Sequence, residues 1–256
     1  MRAQALRAAR TAIVGWALLG CDKDPVKTDP AASRTTATIP TPPAPAPTSP
    51  AAPTKPQLAL DDTAVFVAGE RLDLAAPDLK GRIVSALSGK PVEGETLVLN
   101  AARDTKMPKV TTLFAALVAK KVKGVEVHTP LRDRSAAEIV FVTNGKPSEC
   151  SGVGYIAKDS AITVWPASGA TADRFSRGLA GPDLTRGSEG LRKRVLACDS
   201  NVFFLSADEN VTWGLVFDLA RATLYPEDAG LPKPRSVSLL VKTPVSGRKV
   251  DVDLVE

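Results

Sequence analysis

The sequence predicts an α+β body built as two tandem repeats of a small mixed sheet with helices packed on one face, following a signal peptide and a Pro-rich tether. Three observations predict it. Strand spacing and helical spacing of apolar residues follow one another in the same order twice. Ten of the 21 prolines fall in residues 22–57, ahead of that pattern. A basic and then apolar stretch precedes the prolines. The segments are therefore 1–20, 21–57, 58–146 and 147–256.

The leader has a positive start, Arg2, Arg7 and Arg10, and no acidic residue. Thr11 to Leu19 is an apolar run of about ten residues, too short for a spanning helix of about twenty. Gly20 and Cys21 follow. Leu18-Leu19-Gly20-Cys21 resembles the lipobox of bacterial lipoproteins. That resemblance implies diacylation of the Cys21 thiol, cleavage before it and acylation of the new amine. Two or more acyl chains anchor stably where one does not. The alternative is an ordinary signal peptide with a chance cysteine. Asp22 resembles the inner-membrane retention signal of enterobacterial lipoproteins, which favours the periplasmic face of the inner membrane over the outer membrane.

Residues 22–57 lack apolar periodicity, and Pro40, Pro42, Pro43, Pro45 and Pro47 alternate with Ala and Thr. Such a run cannot make a helix or ladder and favours polyproline II. Fully extended, it reaches roughly 110 Å. It reads as a spacer rather than as a proline-motif ligand.

In the first repeat, strand 64–67 precedes a helix at 77–87 ended by Gly89. Strand 96–99 comes next. Pro108 opens a second helix, where a missing N–H costs nothing. Val110, Leu113, Phe114 and Leu117 then form one apolar face. Lys120, Lys121 and Lys123 suit the negative end of the helix dipole, and Gly124 reads as the C-cap. Strands 125–130 and 138–142 close the repeat.

In the second repeat, strand 161–164 leads to a helix at 187–197 and strand 202–205. Asp208 and Thr212 read as turn and cap residues. Trp213, Val216, Phe217, Ala220 and Leu224 repeat the helical face, and Pro226 and Gly230 end it. Strands 237–244 and 249–254 follow. The two units share an ending, Val127-His128-Thr129-Pro130 and Val241-Lys242-Thr243-Pro244. The edge near 237–241 is read as a place where a partner could add a strand.

The stretch Ala207-Asp208-Glu209-Asn210-Val211-Thr212-Trp213-Gly214 and its following helix resemble the periplasmic domain of the ExbD/TolR family. Trp213-Gly214 stands where that family has Tyr-Gly. Asp104 to Val110 resembles the same turn, about two residues short. The family begins with a transmembrane helix carrying an acidic residue for proton-driven work. This chain has a leader and lipid cysteine in that place, so proton coupling does not carry over. What the resemblance implies is binding of envelope proteins or peptidoglycan. It marks Asp208 and Trp213 as partner-binding or structural turn residues.

Composition narrows the remaining classes. The formal charge of +5 falls to about +2 once Arg2, Arg7 and Arg10 leave with the signal peptide. No stretch combines dense Lys and Arg with aromatics, so a nucleic-acid partner is not expected. Beyond Cys21, Cys150 and Cys198 form an even pair in an oxidising compartment and read as a disulfide. In the loop-entropy model such a bridge adds about 4 kcal/mol. The alternative is two buried thiols. His128 is the chain's one histidine and no Cys-x-x-Cys occurs, so His128 reads as an exposed strand residue and no metal or other cofactor is expected.

No Gly-x-Ser-x-Gly elbow occurs, and Gly89-Lys90-Pro91 and Gly145-Lys146-Pro147 lack the spacing of a phosphate loop. Ser151-Gly152-Val153-Gly154 reads as a hairpin turn, and Asp61-Asp62 and Asp208-Glu209 as caps or solvated turns. The expectation is a non-enzymatic envelope lipoprotein, held to the membrane through lipid on Cys21, that binds an envelope protein or peptidoglycan. The alternative is a ligand-binding or enzymatic lipoprotein with its site in a cleft between the halves.

Overall fold

The computed structural model describes residues 55–256 apart from 179–180, 197–201, 227–232, 252–254 and 256. The leader, Cys21, the tether as far as residue 54, Cys198, Gly230 and residues 252–254 of the expected strand 249–254 lie outside the described residues. Residues Pro50–Glu256 form one compact unit.

Three short strands open the body: β1 (Leu58–Leu60), β2 (Ala64–Val67) and β3 (Glu70–Asp73). Asp61 closes the first turn, its Oδ1 accepting from the Thr63 and Ala64 N–H groups at 2.7 Å each. Ala68 and Gly69 close the second at φ 52° and 88°, the left-handed pair a two-residue hairpin needs. Then come α1 (Leu79–Ala86), β4 (Thr96–Ala101), α2 (Met107–Ala119), β5 (Gly124–Pro130) and β6 (Ala136–Val142). The second region opens with three strands as well, β7 (Gly152–Ile156), β8 (Ile162–Pro166) and β9 (Asp173–Phe175). It continues with α3 (Leu184–Leu196), β10 (Val202–Ala207), α4 (Trp213–Leu224) and β11 (Ser236–Leu239).

The expected α+β class holds, but the strands form one sheet rather than two small ones. Its order is β3-β2-β1-β4-β5-β6-β11-β10-β7-β8-β9. The joining strand is β6. It runs antiparallel to β5 and parallel to β11, with Phe141 opposite Val237 and Val142 opposite Ser238. Pairing on both sides removes two edges that separate sheets would leave open. One apolar core runs along a single face of the sheet and includes residues of all four helices, from Leu79 and Ile83 to Leu219 and Leu224.

Several elements differ from expectation. Residues 151–154 do not turn: β7 is an interior strand between β10 and β8. The glycines serve close packing instead. A Cβ on Gly154 would sit 2.9 Å from Leu205 and 3.0 Å from Leu191, so glycine lets α3 lie close on the strand. At the end of α2, Gly124 is not the cap but the first residue of β5. Lys121 takes the left-handed position at φ 53°. Its N–H donates to Val118 O and that of Val122 to Leu117 O, a Schellman ending.

The last strands also differ. β11 stops at Leu239, and Lys249–Asp251 are not in a strand. The place beside β11 is already filled by β6. The C-terminal segment therefore crosses to the face opposite the helices. There Val250 N–H donates to Ala167 O at 2.8 Å and Trp165 Nε1 donates to Arg248 O at 2.9 Å. Val250 and Val255 pack with Val153, Trp165, Phe204 and Leu240 in a second, smaller core.

Candidate functional site

Two places gather chemistry-bearing side chains: the junction beside β6 and the open face of β1–β6.

At the junction, the N-termini of α2 and α4 meet. Neither N-cap residue, Lys106 nor Thr212, makes a side-chain cap, which corrects the expected capping role of Thr212. The free N–H groups find backbone partners across the junction. Met107 N–H donates to Val211 O at 3.1 Å, and Trp213 N–H donates to Thr105 O at 2.8 Å. Lys106 and Thr212 pair as an antiparallel bridge. A buried helix start with no local cap must be satisfied in some such way.

Arg103 ties this junction further. Its guanidinium donates to both carboxylate oxygens of Asp218, at 3.0 and 2.7 Å, and to Pro130 O and Gly214 O. Arg132 adds a second contact to Asp218 at 3.2 Å. Gly214 is required here, because a Cβ would lie 2.9 Å from the Arg103 side chain. Below the ion pair, Trp213 packs on Phe114, Phe141 and Phe217 with centroids 5.3 to 6.4 Å away. Its Nε1 donates to Thr129 Oγ1, which donates to Ala101 O. The space between the regions is thus filled by aromatic packing and a bidentate ion pair. A shallow hollow of about 360 Å³ remains outside it, lined by Arg132, Asp133, Leu184, Asp218 and Arg221 among others.

The open face belongs to β1–β6. Among the described residues no segment covers it as 245–251 cover β7, β8 and β10. Phe66, Ala59 and Val98 are half-buried on it and Val140 is 46% exposed. Between them stand Asn100, Glu126, His128 and Glu138. In register, His128 lies opposite Glu138 and beside Asn100, with Glu126 two residues back on the same face. His128 Nε2 is 2.7 Å from Glu126 Oε1 and 3.7 Å from Glu138 Oε2. A cavity of about 780 Å³ adjoins this group and is lined by His128, Glu138, Asn100, Thr129 and Arg134 among others.

The residues singled out by sequence fall elsewhere. Asp208 closes the turn after β10: its Oδ1 accepts from the Asn210 backbone and side-chain amides at 3.0 Å each. Burial first, and the Asp208 charge second, hold the Tyr155 hydroxyl above its ordinary pKa. Trp213 is fully buried in the junction. It therefore offers a partner no surface in this structure. Cys150 is disulfide-bonded, and its partner lies outside the described residues. The edge expected near 237–241 is not free, since β11 is paired by β6 and β10. The outer edges are β3 and β9, which carry Glu70, Arg71, Asp73, Asp173 and Arg174.

Sequence reasoning missed the ion pair and the His128 group. Arg103 and Asp218 lie far apart in the chain and His128 and Glu138 on neighbouring strands, so only helix docking or strand register brings each pair together. Among the described residues no helix is long and apolar enough to cross a membrane. No family model matches the chain, nor does any curated protein or solved structure.

Proposed function

We propose that the chain is an exported lipoprotein, anchored through lipid on Cys21 to the periplasmic face of a bacterial membrane, whose body binds an envelope protein or peptidoglycan without catalysing a reaction. The observation that carries the reading is Leu18-Leu19-Gly20-Cys21 directly after a basic and apolar leader. A long tether behind the lipid holds the body away from the bilayer. The likeness of residues 207–218 to the ExbD/TolR periplasmic domain supports the choice of partner. The engagement of Asp218 by two guanidinium groups supports a structural role for the junction's buried carboxylate.

The body reads as a tandem duplication. Its halves share one strand order, β3-β2-β1-β4-β5 on one side and β9-β8-β7-β10-β11 on the other. The reciprocal bonds between the two helix starts are what a two-fold relation produces. Only one sixth strand fits at the centre. On this reading β6 takes that place and its counterpart becomes the C-terminal cover. Cys150 then pairs with Cys198, leaving Cys21 for the lipid.

The test is membrane fractionation of Cys21→Ala in the producing cell, with mass measurement of the N-terminal peptide. The expected outcome is release of the variant from membranes and loss of the lipid mass. Unchanged fractionation, with no lipid mass on the wild-type peptide, overturns the tether. Envelope crosslinking and murein co-sedimentation then separate a protein partner from the cell wall.

A further inference from the structure

We propose that Glu126, His128 and Glu138 form a surface site for a divalent transition-metal ion of the zinc class. This rests on the strand register of β5 and β6 and is independent of the lipoprotein reading.

The three ligating atoms all lie within 4.8 Å of one another. Their backbone positions are held firmly. β5 is laddered on both sides, by β4 and β6, and His128 stands directly opposite Glu138. Ligands on a paired strand keep their Cβ positions, so an ion requires only side-chain adjustment. An ion about 2.1 Å from two ligands in tetrahedral geometry sets them about 3.4 Å apart. The separations from His128 Nε2, 2.7 Å to Glu126 and 3.7 Å to Glu138, lie on either side of that value.

The donor set selects the class of ion. One imidazole nitrogen and two carboxylate oxygens suit zinc, nickel or copper better than magnesium or calcium, which take all-oxygen shells. Charge agrees: two carboxylates and a neutral imidazole are balanced by one divalent cation. With the ring proton on Nδ1, Nε2 and the carboxylate oxygens all present lone pairs that a cation can accept. The arrangement is half open to solvent, with side-chain exposures of 35%, 39% and 72% for Glu126, His128 and Glu138. Three protein ligands leave a coordination position free, and the cavity lined by His128, Glu138, Asn100 and Arg134 adjoins it. A carboxylate-bearing ligand would find both the ion and the Arg134 guanidinium there.

The chain has one histidine, which makes the test unambiguous. Zinc sulfate is titrated by calorimetry into the full chain, prepared without an affinity tag and stripped with EDTA. The imidazole signals are followed by NMR in parallel. The expected result is saturable binding of one zinc ion with displacement of the His128 signals, and no displacement by magnesium. His128→Ala weakens zinc binding by at least about tenfold, and Glu126→Gln and Glu138→Gln weaken it by about tenfold each. All three variants alter exposed or half-exposed positions, and a wild-type melting temperature verifies their fold. Absence of binding up to about 1 mM zinc, or unchanged affinity in His128→Ala, overturns the site.

Discussion

The two halves of the sheet share one order of elements as far as β5 and β11 but bury their strands differently. In β1–β6 one face meets the helices and the other faces outward. In β7, β8 and β10 both faces are covered, by helices on one side and by the C-terminal segment on the other. The strand sequences carry this difference. β6, Ala-Ala-Glu-Ile-Val-Phe-Val, buries only Ile139 and Phe141, whereas β10, Val-Phe-Phe-Leu-Ser-Ala, buries every residue after the first. Alternation marks a strand with one wet face, and an unbroken apolar run marks one covered on both. The C-terminal segment that packs behind β7, β8 and β10 therefore sets which half keeps a free surface.

The largest effect tests the covered face. Trp165 is fully buried and its Nε1 is bonded to the crossing segment at Arg248 O. Trp165→Ala is expected to lower unfolding free energy by about 3–5 kcal/mol. Phe66→Ala, on the open face of the matching hairpin, is expected to cost about 1 kcal/mol or less. Urea denaturation with unchanged m-values measures both. Equal losses would mean that the open face is covered too, and the contrast between the halves would fail.

A smaller effect tests whether the halves stand as one unit. Arg103→Ala removes bonds to Asp218, Gly214 O and Pro130 O and leaves a mostly buried carboxylate with one exposed partner. The expected loss is about 2–3 kcal/mol. Arg132→Ala, at the same carboxylate but 63% exposed, is expected to cost about 0.5 kcal/mol or less. A double-mutant cycle of Arg103→Ala with Asp218→Ala should give a coupling of at least about 1 kcal/mol. Two separate unfolding transitions in Arg103→Ala would show that the pair locks the halves together. Additive losses would show that it does not.

What the sequence makes legible follows from range. The faces of α2 and α4 are readable because Leu113, Phe114 and Leu117, or Val216, Phe217 and Ala220, repeat within one helix. β5 and β6 are readable because alternation is local. β1, β3 and β9 are three or four residues long, too short for a period to register. β7 is hidden by two glycines, whose local meaning is a turn but whose use here is to admit α3. The packing of 249–251 behind the sheet is not legible at all, because it depends on which strands already pair with β11. For the same reason Glu126 and His128 are visible as neighbours on one strand, while Glu138 joins them only through register. The resemblance of Leu18–Cys21 to a lipobox stands out because it is read from four adjacent residues.

The smallest effect compares equivalent turns of the two halves. Asp61 closes β1–β2, and Asp159 closes β7–β8 by accepting from Ala161 N–H at 3.1 Å. Both carboxyls are held below their ordinary value, and in both a backbone N–H is the largest cause, from Thr63 for Asp61 and from Ala161 for Asp159. They differ in what lowers them next. Asp61 gains a second backbone donor, Ala64, whereas Asp159 gains the charge of Arg174. Hydrogen bonds to backbone survive salt, and exposed ion pairs are screened by it. NMR titration of the two carboxyl carbons should therefore place both midpoints below 3.8 at low salt. At about 1 M salt Asp159 should move up more than Asp61. Because both values are depressed on folding, each contributes stability above the unfolded carboxylate pKa and loses it as pH falls through the folded one. Equal salt shifts would make the two turns electrostatically alike. A larger shift at Asp61 than at Asp159 would reverse the assignment of backbone and ionic control between the halves.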